Sequence, residues 1–171
     1  MIELSFVTER SLGSEVIRWF THSDFSHVDI IWADPDSVKM GGMRFGARSD
    51  NPVNGKTGVQ FREPGYAEFV KDWRVIIPAT FQQEDKFYDW LLEQEGKPYD
   101  TTGLYASFLW NRARPDWNHD TAWWCSELAG AALGQGAGLV NIVTPTNKLS
   151  PNDAFLVAGA IPGAEVSRWI P

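Results

Sequence analysis

Between residues 26 and 79 the chain runs through four short strand-like segments with no helical period separating them. SHVDIIWA at 26–33 is rich in β-branched residues, MRFGAR at 43–48 follows the turn signal DPDS at 34–37, and GVQFRE at 58–63 and WRVIIPA at 73–79 come after turn-rich connections. A fifth strand is expected at 2–7, IELSFV, ahead of an amphipathic helix at 11–21 that places Leu12, Val16, Ile17 and Phe20 at helical spacing, with Ser11 or Ser14 as its cap. Further helices are predicted at 81–96, closed by Gly96, at 102–110, at 121–134 with Thr121 as N-cap, and briefly after SPND at 150–153. Helices therefore flank a run of strands, the pattern of an α+β chain rather than of alternating βαβ units.

The 171 residues suit one domain, 1–171, with a Gly/Pro-rich tail over 135–171. Hydrophobic residues make up 43% and charged residues 22%, so the chain has the means to build a core. A net charge of −7 and the absence of any Lys/Arg run argue against nucleic acid and against an anionic membrane surface as partners. No apolar stretch approaches the ~20 residues that span a bilayer, so no stable membrane insertion is expected. The N-terminal MIELSFVTER lacks a basic region followed by a long apolar run. The expectation is cytoplasmic synthesis, with delivery elsewhere left to other factors.

Cys125 is the only cysteine, so no internal disulfide forms. A free cysteine in an apolar helix is commonly a small buried hydrophobe. Cys125 also lies near the start of its predicted helix, after the polar loop 111–120, where unpaired N–H groups lower a thiol pKa and can hold an oxyanion. A thiol nucleophile needs a base. His22 and His119 sit in polar loops, whereas His27 opens an otherwise apolar strand. A zinc site from His119, Asp120 and Cys125 is disfavoured by the lack of any CxxC, HExxH or HxH pattern, and no metal or other cofactor is expected. GxSxG is absent, and GGMRFG at 41–46 leads into a strand rather than a helix, which makes it a poor phosphate loop.

EGKPYDTTG at 95–103 followed by WWCSEL at 123–128 resembles the nucleophile half of NlpC-type cell-wall peptidases, through Gly96, Pro98, Tyr99, Cys125 and Ser126. The histidine strand FSHVDII precedes the cysteine helix here, which resembles the circularly permuted, lecithin retinol acyltransferase-like branch of the papain-like superfamily. The resemblance implies a papain-like α+β fold, a small antiparallel sheet or barrel packed on helices that include the cysteine helix. It implies Cys125 as nucleophile, His27 as general base and Tyr99 as a contributor to oxyanion binding, with Trp124 and Ser126 beside the site. The residue that orients the imidazole is left open. Hairpin arithmetic places Gly46, Ala47 and Arg48 opposite His27; a bulge would bring in Ser49 or Asp50, and Gln60 lies on the next strand. The function implied is a cysteine amidase or peptidase acting on a small peptide, a cell-wall peptide first. Acyl transfer or thioester and lipid acyl hydrolysis is an alternative that a channel lined by Trp73, Trp90 or Trp110 would serve. A non-catalytic binding or phage-associated accessory protein on the same scaffold is the rival from another class.

Overall fold

The computed structural model describes residues 1–32, 42–101, 121–141 and 149–169. The predicted helix at 102–110, His119, Asp120, Trp110 and the DPDS turn lie outside the described residues. The elements run β1 (Ile2–Glu9), α1 (Leu12–Thr21), β2 (His27–Trp32), β3 (Met43–Val53), β4 (Lys56–Arg62), β5 (Phe69–Ile77), α2 (Phe81–Leu92), α3 (Cys125–Ala131), a π-helical turn (Ala132–Gly136), α4 (Pro151–Gly159) and β6 (Glu165–Arg168). The α+β expectation holds.

All six strands form one antiparallel sheet in the order β4-β3-β2-β1-β5-β6. β1 is central and pairs β2 with Val7 opposite His27 and β5 with Leu4 opposite Val75. β3 outruns its predicted end because Asn54 and Gly55, with φ of 51° and 75°, make a two-residue turn of the type that matches strand twist and returns the chain as β4. β6 was not anticipated: it is four exposed residues, too short to show a period.

Strand alternation gives the sheet two unlike buried faces. Ile2, Leu4, Phe6, Val28, Ile30, Phe45, Ala47, Val59, Val75 and Ile77 form the apolar core with Phe87 and Leu91 of α2, Leu128 of α3 and Ala154 of α4. The other face carries Ser5, His27, Asp29, Arg44, Arg48, Arg62, Asp72 and Arg74, all buried as well. Aromatic rings cover its guanidinium groups: Arg44 stacks 4.4 Å from the Phe69 ring centroid, Arg48 5.0 Å from Tyr66 and Arg74 4.8 Å from Trp169.

Helix starts follow local chemistry. Ser11 caps α1 by accepting from the Ser14 N–H, and Thr80 with Gln83 and Ser150 with Asp153 form capping boxes on α2 and α4. The cysteine helix departs from its predicted bounds. It begins at Cys125 with Trp124 as N-cap, not at Thr121, and beyond Ala131 it widens into the π-helical turn. Residues 121–124 are held extended, which the next section explains.

Candidate active site

Two segments far apart in sequence place the thiol. The GKPYD turn is hydrogen-bonded on one side to the outer edge of β4, where Gly96 N–H donates to Val59 O at 2.8 Å and Val59 N–H to Lys97 O at 2.9 Å. On its other side Trp123 N–H donates to Pro98 O at 3.1 Å and Asp100 N–H to Trp123 O at 3.0 Å, so that Tyr99 and Trp123 bridge in parallel. These bonds hold the chain extended up to Trp124 and force the helix to start at Cys125. Gly58 permits the close approach: its φ is +112°, and a Cβ there would lie 2.2 Å from Lys97 O. Trp123 fills the core against Trp90, and its indole N–H donates to Gln94 Oε1 at 3.1 Å.

The histidine sits where β2 and β3 part. Their paired register covers Ile30–Phe45 to Trp32–Met43 and does not reach His27. At this open end the Cys125 thiol lies close enough to the His27 ring and the Val28 backbone N–H for both to act on its charge. His27 Nε2 is 2.7 Å from Asp29 Oδ1, two residues along the same strand and on the same face. The imidazole thus joins a thiol and a carboxylate. Gly46 makes room for the carboxylate, since a Cβ at this position would stand 2.6 Å from Asp29 Oδ1. Asp29 Oδ2 accepts from Tyr66 Oη at 2.9 Å and from Arg44 Nη1 at 3.4 Å.

Charge sets the protonation of the pair. Burial works against an imidazolium at His27, and Arg48 adds to that effect. The Asp29 carboxylate and the Cys125 sulfur outweigh both and raise the pKa from 6.5 to about 9. Burial alone would hold the Cys125 thiol up; the charge and hydrogen bond of His27, the Val28 N–H and Arg48 bring it below its ordinary value. Despite burial, Asp29 is held well below the usual carboxylate range, chiefly by His27 and Arg44. The two shifts run in the directions that favour a thiolate beside an imidazolium over the two neutral groups.

Tyr99 stands beside the sulfur. Burial first, and the Cys125 charge second, push its hydroxyl well above 10, so it remains a protonated donor. Ser126 donates to Leu149 O at 2.6 Å and ties α3 to the segment before α4. Trp124 is the N-cap residue and is buried, with its N–H 3.4 Å from Glu127 Oε2. The three candidates for orienting the imidazole find other surroundings. Asp50 takes Arg48 Nε at 2.7 Å, Ser49 is exposed, and Gln60 Oε1 is buried with no hydrogen-bond partner among the described residues. Asp29 holds the position on Nε2 instead. Its signal is present in the sequence as His-x-Asp, because a spacing of two on a strand brings both side chains to one face. Tyr66 and Arg44, which hold Asp29, carry no local signal.

In fold, the chain is similar to the crystal structure of metalloprotein yiiX from Escherichia coli O157:H7, of the domain of unknown function DUF1105, with a TM-score of 0.61 at 18% identity over 99% of this chain and 97% of that one. No protein-family profile matches the chain, and no curated protein does. These findings correct the family expectation: the NlpC-type, permuted papain-like membership is not supported, and the fold neighbour carries a different description. The quoted motifs are short. Gly-x-Pro-Tyr and Cys-Ser specify a turn and a helix start, which unrelated chains can share.

Proposed function

We propose that the protein is a cysteine-dependent acyl hydrolase in which Cys125 is the nucleophile, His27 the proton carrier and Asp29 the residue that orients it. One observation carries this reading: the imidazole holds a buried carboxylate at 2.7 Å and acts on the charge of the only thiol. The Cys125 thiolate attacks the carbonyl carbon of an amide or ester, forming a C–S bond. First-turn N–H groups of α3 and the Tyr99 hydroxyl face the developing oxyanion. As the C–N or C–O bond breaks, His27 gives its proton to the departing amine or alcohol, leaving a thioester on Cys125. Water then adds to the thioester as His27 takes its proton, which releases the acid and restores the ion pair.

Amide substrates, small peptides among them, fit better than long acyl chains. Trp73 packs against Phe155 and Trp90 against Trp123, so these two rings are engaged in core contacts rather than framing one channel. A metal-dependent reading, prompted by the neighbour's description, does not fit the donors present. Among the described residues no three His, Cys, Asp or Glu side chains are placed to hold a metal ion, and Asp29 is taken up by His27, Tyr66 and Arg44. One thiolate and one imidazole fall short of the three or four protein ligands that zinc takes.

The test is the pH dependence of iodoacetamide alkylation, together with mass-spectrometric trapping of an acyl adduct from p-nitrophenyl acetate. With a single cysteine, rapid alkylation reports Cys125, and peptide mapping of the acetyl adduct separates the thiol from the amines. Rapid alkylation well below pH 8, an adduct of acetyl mass and loss of both in His27→Ala support the reading. A thiol that reacts only on unfolding overturns it.

A further inference from the structure

The ionic face of the sheet forms a chain of alternating charge that leads to the catalytic pair. Glu3 Oε1 accepts from Arg74 Nη1 at 2.7 Å, and Arg74 Nε reaches Asp72 Oδ1 at 3.0 Å. Asp72 Oδ2 takes Arg44 Nη2 at 2.5 Å, whereas Arg44 Nη1 stands 3.4 Å from Asp29 Oδ2. Ser5 fixes this asymmetry, because its Oγ accepts Arg44 Nη1 at 2.8 Å and donates to Asp72 Oδ1 at 2.6 Å. Arg44 is thus drawn toward β5 and away from Asp29, whose other oxygen makes the 2.7 Å contact to His27. The arginine, Asp72 and Asp29 are each less than one-tenth exposed, so little solvent screens these contacts.

We infer that Asp72, together with Ser5, is a positioning residue for the Cys125–His27 pair: by holding Arg44 off Asp29, it leaves the Asp29 charge to the imidazole. The inference rests on the proposed function of the pair. Other charged groups face His27 from the elements around it. Arg48 and Asp50 do so from β3, Cys125 from α3, with Tyr99 beside the sulfur, while Tyr66 and Arg62 act on Asp29. None of these contacts Asp72 or Ser5 in the network described. Among the described side-chain hydrogen bonds Arg44 links Asp72 to Asp29.

The experiment follows the His27 C2–H resonance and the Cys125 alkylation rate against pH in the full chain. In Asp72→Asn, Arg44 closes on Asp29. The imidazolium inflection is expected to fall by about one unit, and the thiolate inflection to rise by a similar amount. Ser5→Ala removes no charge and should move both inflections in the same direction by less, which guards against an Asp72 variant that fails to fold. Adding Arg44→Met to Asp72→Asn should return the inflections toward wild type, an outcome that mere loosening of the fold would not produce. If Asp72→Asn and Ser5→Ala both fold and leave the two inflections in place, or if Arg44→Met gives no recovery, Asp72 is not a positioning residue. If wild type itself shows an ordinary thiol titration and no His27 coupling, the failure lies in the Cys–His reading instead.

Discussion

At the scale of single residues, the site depends on one carboxylate and on the absence of one side chain. Asp29→Asn keeps the shape and removes the charge that holds the proton on His27. The imidazole pKa is expected to fall by about one to three units, and alkylation of Cys125 near pH 6 to slow by on the order of tenfold or more. A pH–rate profile checks this; an unchanged profile would assign the 2.7 Å contact to structure only. Gly46→Ala acts on the same atom by bulk. Its new methyl group would meet Asp29 Oδ1, so the variant should show the Asp29→Asn profile with the charge still present. Burial rather than charge would be limiting if Gly46→Ala lost stability yet kept wild-type thiol reactivity. Arg62 illustrates the other side of a buried charge: it donates only to the carbonyls of Asn51, Gly46, Gln60 and Gly58 in the bonds described, and burial depresses its pKa.

At the scale of elements, strands and caps were legible and the geometry of the candidate site only in part. β-branched runs and turn dipeptides mark β1 to β5, and Ser11, Ser150 and the stretch from Phe81 mark helix starts, because these signals are local. The late start of α3 was not legible. It is imposed by the hydrogen bonds of Pro98 and Asp100 to Trp123, and no local propensity records a contact between segments some 25 residues apart. Hairpin arithmetic placed residues 46–48 opposite His27, whereas the paired register ends at Ile30–Phe45 and Gly46 lies against Asp29. The orienting group was sought on neighbouring strands, however, while it lay two residues along the strand that bears His27. The buried ionic face gave a misleading signal, since arginines in strands usually face water. The element most exposed to test is the GKPYD turn. Gly58→Ala would put a Cβ on Lys97 O in a backbone region that L residues avoid, and a loss of about 3 kcal/mol is expected. Chemical denaturation measures the loss. The same variant should slow Cys125 alkylation if the turn positions the thiol; full reactivity in a destabilised fold would separate the turn from the site.

At the scale of the whole molecule, stability should carry the signature of the buried pair. The pKa of His27 is raised in the fold, so its contribution is complete below about 6.5 and declines as pH rises through about 9. Asp29 is shifted the other way. Its contribution is present above the ordinary carboxylate value of 3.8 and is lost as pH falls below it. The Cys125 thiol is lowered in the fold and offsets the imidazole over the range in which the unfolded thiol, with an ordinary pKa of about 8.5, still holds its proton. Urea midpoints should therefore decline only above that range, toward pH 10, in wild type and do so less steeply in His27→Ala; parallel slopes would show that the imidazole does not couple to folding. Among the described residues no helix is long and apolar enough to cross a membrane. The bonds between β4 and the GKPYD turn have one more consequence. β4 is the terminal strand of the sheet, and an uncovered terminal strand is an invitation to intermolecular pairing. Val59 spends its outward N–H and C=O on Lys97 and Gly96, so the segment that seats Tyr99 beside the sulfur also shields the sheet from adding a foreign strand. Weakening that turn would open the β4 edge to strand addition as well as loosen the hold on Tyr99.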